Sequence, residues 1–169
     1  MRTVLVLGGA RSGKSTYAES LLAGAPALYI ATGQALDDEM VERIRHHRDR
    51  RGPLWDTIEE PLALAETVER HARPDRPLLV DCLTLWISNL MHHGIHVDHA
   101  CARLCEVLAD PPGPVVLVSN EVGLGLVPDN RLAREFRDHQ GRVNQCVARA
   151  CRRVVFIAAG LPLILKDSP

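Results

Sequence analysis

Strands alternating with helices predict an α/β fold built on a mostly parallel sheet. Three observations carry that expectation. A β-branched and apolar run, Thr3 to Leu7, leads directly into a glycine-rich segment and then a helical stretch. Apolar runs of strand length recur at 27–31, 78–81 and 115–118, each closing on small polar or acidic residues. The last two apolar runs, 154–158 and 161–165, are separated only by a short segment about Gly160, which predicts an antiparallel hairpin at the C-terminal edge. At 169 residues the chain is expected to form one domain, residues 1–169, with a single sizeable core.

The segment after the first strand reads Gly8-Gly9-Ala10-Arg11-Ser12-Gly13-Lys14-Ser15. It matches G-x-x-x-x-G-K-[ST], the phosphate-binding loop. Glycines let the backbone curl so that successive N–H groups converge on phosphate oxygens. Lys14 adds a mobile positive charge for the β/γ-phosphates, and the Ser15 hydroxyl can ligate Mg²⁺. A first helix is expected from Lys14 to Leu22, burying Tyr17, Ala18, Leu21 and Leu22 and closed by Gly24 and Pro26. Ala27 to Ala31 reads as the second strand and ends in Thr32-Gly33-Gln34, on the edge where open α/β sheets bind ligands.

Asp37 or Asp38 can cap a second helix running to about Arg50. On it Met40, Ile44, His47 and Arg51 follow a 4-3-4 spacing, so His47 shares the apolar stripe. His46 is turned about 100° away, towards Glu42, Arg43 and Arg50. Five arginines at 43, 45, 48, 50 and 51 make the helix strongly basic: either a solvated face or a phosphate-facing one. Gly52-Pro53 ends it. Residues 54–60 read as a short strand, 61–71 as a helix, and 78–81 as a buried strand ending in Asp81. After a phosphate loop, an apolar strand ending in Asp suggests the acid that holds Mg²⁺ directly or through water. Helices are expected over 83–91 and 97–109, a strand over 115–118 ending in Ser119-Asn120-Glu121, and a long polar helix over 130–151. Between these last two lies the glycine-rich apolar loop 122–128, suited to a lid or substrate wall.

Composition narrows the partners. With 20 Lys+Arg against 21 Asp+Glu there is no global electrostatic case for nucleic acid or an anionic membrane. No apolar run approaches the roughly 20 residues of a membrane span, and the N-terminus enters a strand and phosphate loop instead of a signal peptide. Five cysteines (82, 101, 105, 146 and 151), with no C-x-x-C, suggest free thiols in a reducing cytoplasm. Cys101 and Cys105 can share a helix face just after His92, His93, His96 and His99; a polar loop entering an ordinary helix explains them more simply than a metal site.

Phosphate binding alone fits a switch GTPase, a motor ATPase and a small-molecule kinase. No N-K-x-D element for guanine is present, and the size suits a small-molecule phosphoryl or nucleotidyl transferase. His47 adds chemistry that a plain kinase does not need. A neutral imidazole, with a reference pKa of about 6.5, is a competent nucleophile at pH 7. Attack on an α-phosphate would expel pyrophosphate and leave a phosphoramidate. The neighbouring arginines would stabilise the developing charge and keep the ring unprotonated.

Several stretches together resemble one family. They are Gly8 to Ser15; Tyr29-Ile30-Ala31-Thr32 with Asp38-Glu39-Met40 and Arg43-Ile44; and Trp55 with Thr57 and Glu59. Asn120-Glu121-Val122-Gly123 with Val127-Pro128, and Arg131 with Phe136-Arg137-Asp138 and Gly141 to Gln145, complete the set. The chain resembles the bifunctional adenosylcobinamide kinase / adenosylcobinamide-phosphate guanylyltransferases of cobalamin biosynthesis. The resemblance implies a RecA-like, three-layer P-loop NTPase fold and two reactions. ATP or GTP phosphorylates adenosylcobinamide; GTP then guanylylates an enzyme histidine, and adenosylcobinamide phosphate accepts the GMP to give adenosylcobinamide-GDP and pyrophosphate. Carried over by motif, Gly8, Gly9, Ala10, Arg11, Ser12, Gly13, Lys14 and Ser15 hold the triphosphate. Thr32, Gly33, Gln34, Arg51, Gly52, Pro53, Glu59 and Asp81 line the nucleotide site. Ser15 and Asp81 hold Mg²⁺. The guanylylated residue lies in the Arg43-Ile44-x-x-His47 stretch, where the helical face favours His47 over His46. The resemblance also implies a homo-oligomer, a trimer in this family. Two other readings remain at this level: an ordinary metabolite kinase without a covalent intermediate, and a nucleotide-gated interaction module.

Overall fold

A computed structural model describes residues 2–33, 52 and 54–168. Within them the chain runs β1 (Thr3–Gly8), α1 (Lys14–Ser20), β2 (Ala27–Ala31), β3 (Trp55–Glu59), α2 (Leu64–His71), β4 (Leu78–Asp81) and α3 (Leu83–His92). It continues through α4 (Val97–Ala109), β5 (Val115–Asn120), α5 (Arg131–Ala150), β6 (Arg153–Ala158) and β7 (Leu161–Asp167). The strands form one sheet in the order β3-β2-β4-β5-β1-β6-β7. All pairs are parallel except β6–β7, the expected hairpin. The expected helix between 37 and 50, with His46 and His47, lies outside the described residues.

The central strands are near-continuous apolar runs because helices cover both faces of the sheet. Alternation sorts their side chains. On one face Leu5, Leu7, Leu28, Ile30, Leu78, Val80, Val115 and Leu117 pack against α2, α3, α4 and α5 through Leu64, Val68, Trp86, Ile87, Leu104 and Val147. On the other, Val4, Val6, Tyr29, Ala31, Leu79, Val116 and Val118 meet Ala18 and Leu22 beside α1. The result is three layers. Trp86, with almost no exposed surface, contributes on the order of 2–3 kcal/mol by burial, and its indole N–H donates to Leu62 O at 2.9 Å, so its polar end carries no penalty.

Element ends shift slightly from the sequence expectation, for local reasons. The helix expected from residue 61 begins at Leu64 because Glu60 intervenes: its Oε1 accepts the N–H groups of Leu62 (2.9 Å) and Ala63 (2.7 Å). The first helix stops at Ser20, where Leu22 N donates to Glu19 O (3.1 Å) in a tightened last turn. Strand β5 carries two residues further than the apolar run, to Asn120. Its polar end is held by side chains of α3 and α5.

Candidate active site

Six parallel strands place their C-terminal ends on one edge, and the polar residues singled out in the sequence collect there. Gly8 ends β1 and pairs in register with Asn120 of β5 and Ile157 of β6. The loop that follows is fixed by its own backbone. Ser12 N donates to Gly9 O (3.3 Å), and Ser12 O accepts Gly160 N (2.9 Å), tying the loop to the β6–β7 turn. Arg11 (φ +55°) and Gly13 (φ +94°) hold left-handed conformations that turn the chain into α1. At Gly8 a Cβ would stand 2.5 Å from Ser12 Oγ and 2.7 Å from Ile157 O, so only glycine fits the packed strand end. Lys14 Nζ donates to Gly9 O (3.2 Å), which folds its ammonium back over the loop.

Asp81 ends β4, which is separated from β1 by β5. Two strand spacings set the acid about 10 Å from the phosphate-loop strand. It is level with Val118 and, through it, with Val6. Alternation along β4 puts Asp81 on the face of Leu79, the face that carries α1. Its Oδ2 accepts the Tyr29 hydroxyl at 3.0 Å, which fixes the carboxylate's rotation. Next to it, burial and the Asp81 charge push the Cys82 thiol up to about 11, so that sulfur stays protonated and unreactive at neutral pH. Thr32, fully buried, donates through Oγ1 to Cys82 O (2.7 Å) and accepts Cys82 N (2.9 Å). Asn89 Nδ2 donates to Thr32 O at 2.7 Å. These bonds lock the end of β2 to the end of β4, and so set where Gly33 leaves the sheet. Glu59, exposed, ends β3 on the same edge.

The structure therefore brings Gly8 to Ser15, Thr32, Gly33, Glu59 and Asp81 to one edge. Gly52, exposed and with φ +74°, is described by itself. Gln34, His46, His47, Arg51 and Pro53 lie outside the described residues. Among the described residues no group of three or more His, Cys, Asp or Glu is placed to hold a metal ion, the histidines at 92–99 and the cysteines at 101 and 105 included. No described helix is long and apolar enough to cross a membrane.

The sequence marked Ser119-Asn120-Glu121 as a polar strand end without giving its members separate roles, and the structure separates them. Ser119 faces α5, where its Oγ donates to Asn144 Oδ1 (2.7 Å) and accepts Gln140 Nε2 (2.9 Å). Glu121 N donates to Gly8 O (3.1 Å) and Glu121 Oε1 accepts Gly123 N (2.7 Å), which roots the exposed apolar loop 122–128 beside the phosphate loop. Asn120 lies between, its backbone held by Thr84 and Asn144. A polar triple closing an apolar strand was the available signal; which member faces which layer depends on register.

A phosphate loop between β1 and α1, with an acid closing the strand beyond the neighbouring one on the same face, defines a P-loop nucleotide-binding α/β protein. Solved structures agree at the level of fold. An ATPase of a bacterial type III secretion system superposes with a TM-score of 0.54 at 13% identity, over 96% of this chain and 56% of that one. A Pyrococcus horikoshii protein gives 0.50 at 15% identity, over 98% of this chain and 86% of its own. This chain thus spans just over half the length of that ATPase chain.

Within that class the chain belongs to the cobinamide kinase / cobinamide phosphate guanyltransferase family, whose model matches residues 4–165. It is 51% identical to the bifunctional adenosylcobalamin biosynthesis protein CobP of Pseudomonas aeruginosa over 98% of both chains. It is 42% identical to CobU of Salmonella typhimurium and 40% identical to CobU of Escherichia coli, each over 96% of this chain and 99% of the relative.

Proposed function

We propose that this chain is a bifunctional enzyme of cobalamin biosynthesis, a cobinamide kinase and cobinamide-phosphate guanylyltransferase. The observation that carries the reading is the family match over residues 4–165, on a chain whose phosphate loop and Asp81 share one sheet edge and one face. One domain, residues 1–169, performs both reactions on adenosylcobinamide and then on its phosphate.

In the first reaction the loop Gly8–Ser15 cradles the triphosphate of ATP or GTP, and Lys14 places its charge at the β/γ-phosphates. The cobinamide hydroxyl oxygen attacks the γ-phosphorus, the bond to the β–γ bridging oxygen breaks, and a nucleoside diphosphate leaves. Ser15 and Asp81 would hold Mg²⁺, and the residues fit it: a hydroxyl at the start of α1 and a carboxylate on the same face, oriented by Tyr29. When bound, the cation neutralises charge on the phosphates. In the second reaction a neutral histidine, His47 on the helical-face argument, attacks the α-phosphorus of GTP and releases pyrophosphate. Cobinamide phosphate then takes the GMP from that nitrogen. Thr32 to Gln34, Arg51 to Pro53 and Glu59 line the nucleotide. The family resemblance supports a cytoplasmic homo-oligomer, specifically a trimer.

Intact-mass spectrometry after incubation with GTP and Mg²⁺ tests the reading. The expected result is a gain of one GMP that is lost in acid, as a phosphoramidate requires. His47→Asn should abolish the adduct and guanylyl transfer but keep measurable kinase activity, because γ-phosphoryl transfer needs no covalent histidine. A folded, GTP-binding protein without adduct would leave only a simple P-loop kinase.

A further inference from the structure

We propose that Asn120 is a further catalytic residue of the phosphoryl-transfer site, its carboxamide hydrogen-bonding the γ-phosphoryl end of the bound triphosphate and the water ordered there. The proposal rests on the phosphoryl-transfer reading above. It begins with alternation. Along β5, Val116 and Val118 pack with Ala18 on the α1 face, whereas Val115 and Leu117 join the opposite core. Asn120 continues the first series and Ser119 the second. The Asn120 side chain therefore stands on the face that carries α1 and Asp81, in register with Gly8, on the strand between Lys14's loop and Asp81.

Its backbone is held on both sides. Asn120 N donates to Thr84 Oγ1 (2.9 Å) and Asn120 O accepts Asn144 Nδ2 (3.0 Å). Asn144 is itself held by Ser119 and Gln140. Yet Asn120 Oδ1 is buried from solvent and has no hydrogen-bond partner among the described residues. A buried carboxamide oxygen left unsatisfied gives up the hydrogen bond it would make to water, and an orphan of that kind calls for an explanation. Gln140 Oε1 also has no partner among the described residues, but Gln140 is fully buried on the α5 side, away from the loop. Position separates the two. At Asn120 the missing partner belongs where phosphate oxygens and their water shell would sit, and a neutral amide serves them at both ends: Nδ2 donates to a phosphoryl oxygen, and Oδ1 accepts from water. The amide takes no proton in the transfer; the acceptor hydroxyl's proton leaves through the phosphoryl oxygens to solvent.

The test compares full-length wild type, Asn120→Ala, Asn120→Asp and Ser119→Ala. The readouts are calorimetric affinities for GTP and GDP in Mg²⁺, thermal stability, and steady-state phosphorylation of cobinamide. In Asn120→Ala the preference for GTP over GDP should fall roughly tenfold, the worth of one hydrogen bond to a charged group. Its kcat should drop about 100-fold, with the KM for cobinamide little changed. Asn120→Asp, equal in size, should weaken GTP more than GDP by adding a negative charge beside the γ-phosphate; it carries the comparison if the alanine variant fails to fold. Ser119→Ala, on the other face, should lower stability while keeping the GTP/GDP ratio. Unchanged ratios in both Asn120 variants, whatever their stability, would overturn the proposal and make Asn120 structural. If the wild type phosphorylates no cobinamide, the proposed function fails, and the GTP/GDP ratio still decides the role of Asn120.

Discussion

At Gly8 the chain has no room for a methyl group. The Ser12 hydroxyl, 2.5 Å from an added Cβ, could rotate away, but the Ile157 carbonyl at 2.7 Å belongs to the β6 ladder and cannot. Gly8→Ala must therefore push the end of β1 out of register with β6. We expect a loss of about 1–3 kcal/mol in denaturant unfolding and weaker GTP binding by titration. Gly9 is the internal control: an added Cβ there meets nothing within 4 Å, so Gly9→Ala should stay within about 0.5 kcal/mol of wild type. Equal losses at both positions would mean that the loop, not the strand contact, sets the requirement. The motif spacing marks Gly8, Gly13, Lys14 and Ser15 as one unit, because phosphate binding would constrain neighbours in sequence, and the structure joins them in one loop between β1 and α1. It could not distinguish Gly8 from Gly9 by cause, since the atoms that crowd Gly8 include a carbonyl 149 residues away in the chain. The hold of Tyr29 on Asp81 was not legible for the same reason: the two lie 52 residues apart.

The long helix α5 shows what an element's pattern reveals and what it hides. Its density of arginines, asparagine and glutamine was visible in sequence, and the structure divides those residues by face. Arg131 pairs with Glu135 (2.6 Å) in solvent, where such a pair is worth little. Arg134 donates to the carbonyls of Pro128 (3.0 Å) and Asp129 (2.8 Å), closing the loop that precedes the helix. Asn130 caps it, accepting Ala133 N at 2.8 Å. Gln140 and Asn144, four residues apart, are instead buried against β5. Helical spacing could pair those two with each other, but only tertiary packing pairs them with Ser119 and Asn120. Asn144→Ala removes the acceptor of the Ser119 hydroxyl and the donor to Asn120 O at once. We expect a loss of about 3 kcal/mol by urea unfolding together with slower phosphoryl transfer, because the strand end carrying Asn120 loses its tether. Ser119→Ala should cost less, and the double variant markedly less than the sum, since both act on one network. Full additivity would show that the two residues act independently.

For the whole molecule, the α/β class, the parallel sheet and the C-terminal hairpin all followed from the order of apolar runs. The insertion of β5 between β1 and β4 did not, because strand order is decided by crossovers that leave no local mark. That insertion sets the distance between phosphate loop and acid, and it gives Asn120 its place. The opposite border of the sheet raises a different question. Strand β7 is the last in the order, and Leu161, Leu163, Ile164 and Leu165 on it are 51–71% exposed. Register puts Leu163 beside Phe156 and Ile164 beside Val155, so apolar side chains stand on both faces of an edge strand. Edges of monomers are usually blunted by charge or proline; here Pro162, Lys166 and Asp167 sit near the ends and the middle is apolar. Such a strand is suited to contact with another copy, which is the homo-oligomer that the family resemblance implies. Light scattering of the purified wild type should give a multiple of the chain mass, three-fold for a trimer. Leu163→Lys with Leu165→Lys should lower that mass. GTP binding should persist, because the link from this hairpin to the phosphate loop is the backbone bond from Gly160 N to Ser12 O, which neither substitution touches. A wild type that is monomeric at micromolar concentration would remove the oligomer, and an oligomer indifferent to both lysines would move its interface away from β7.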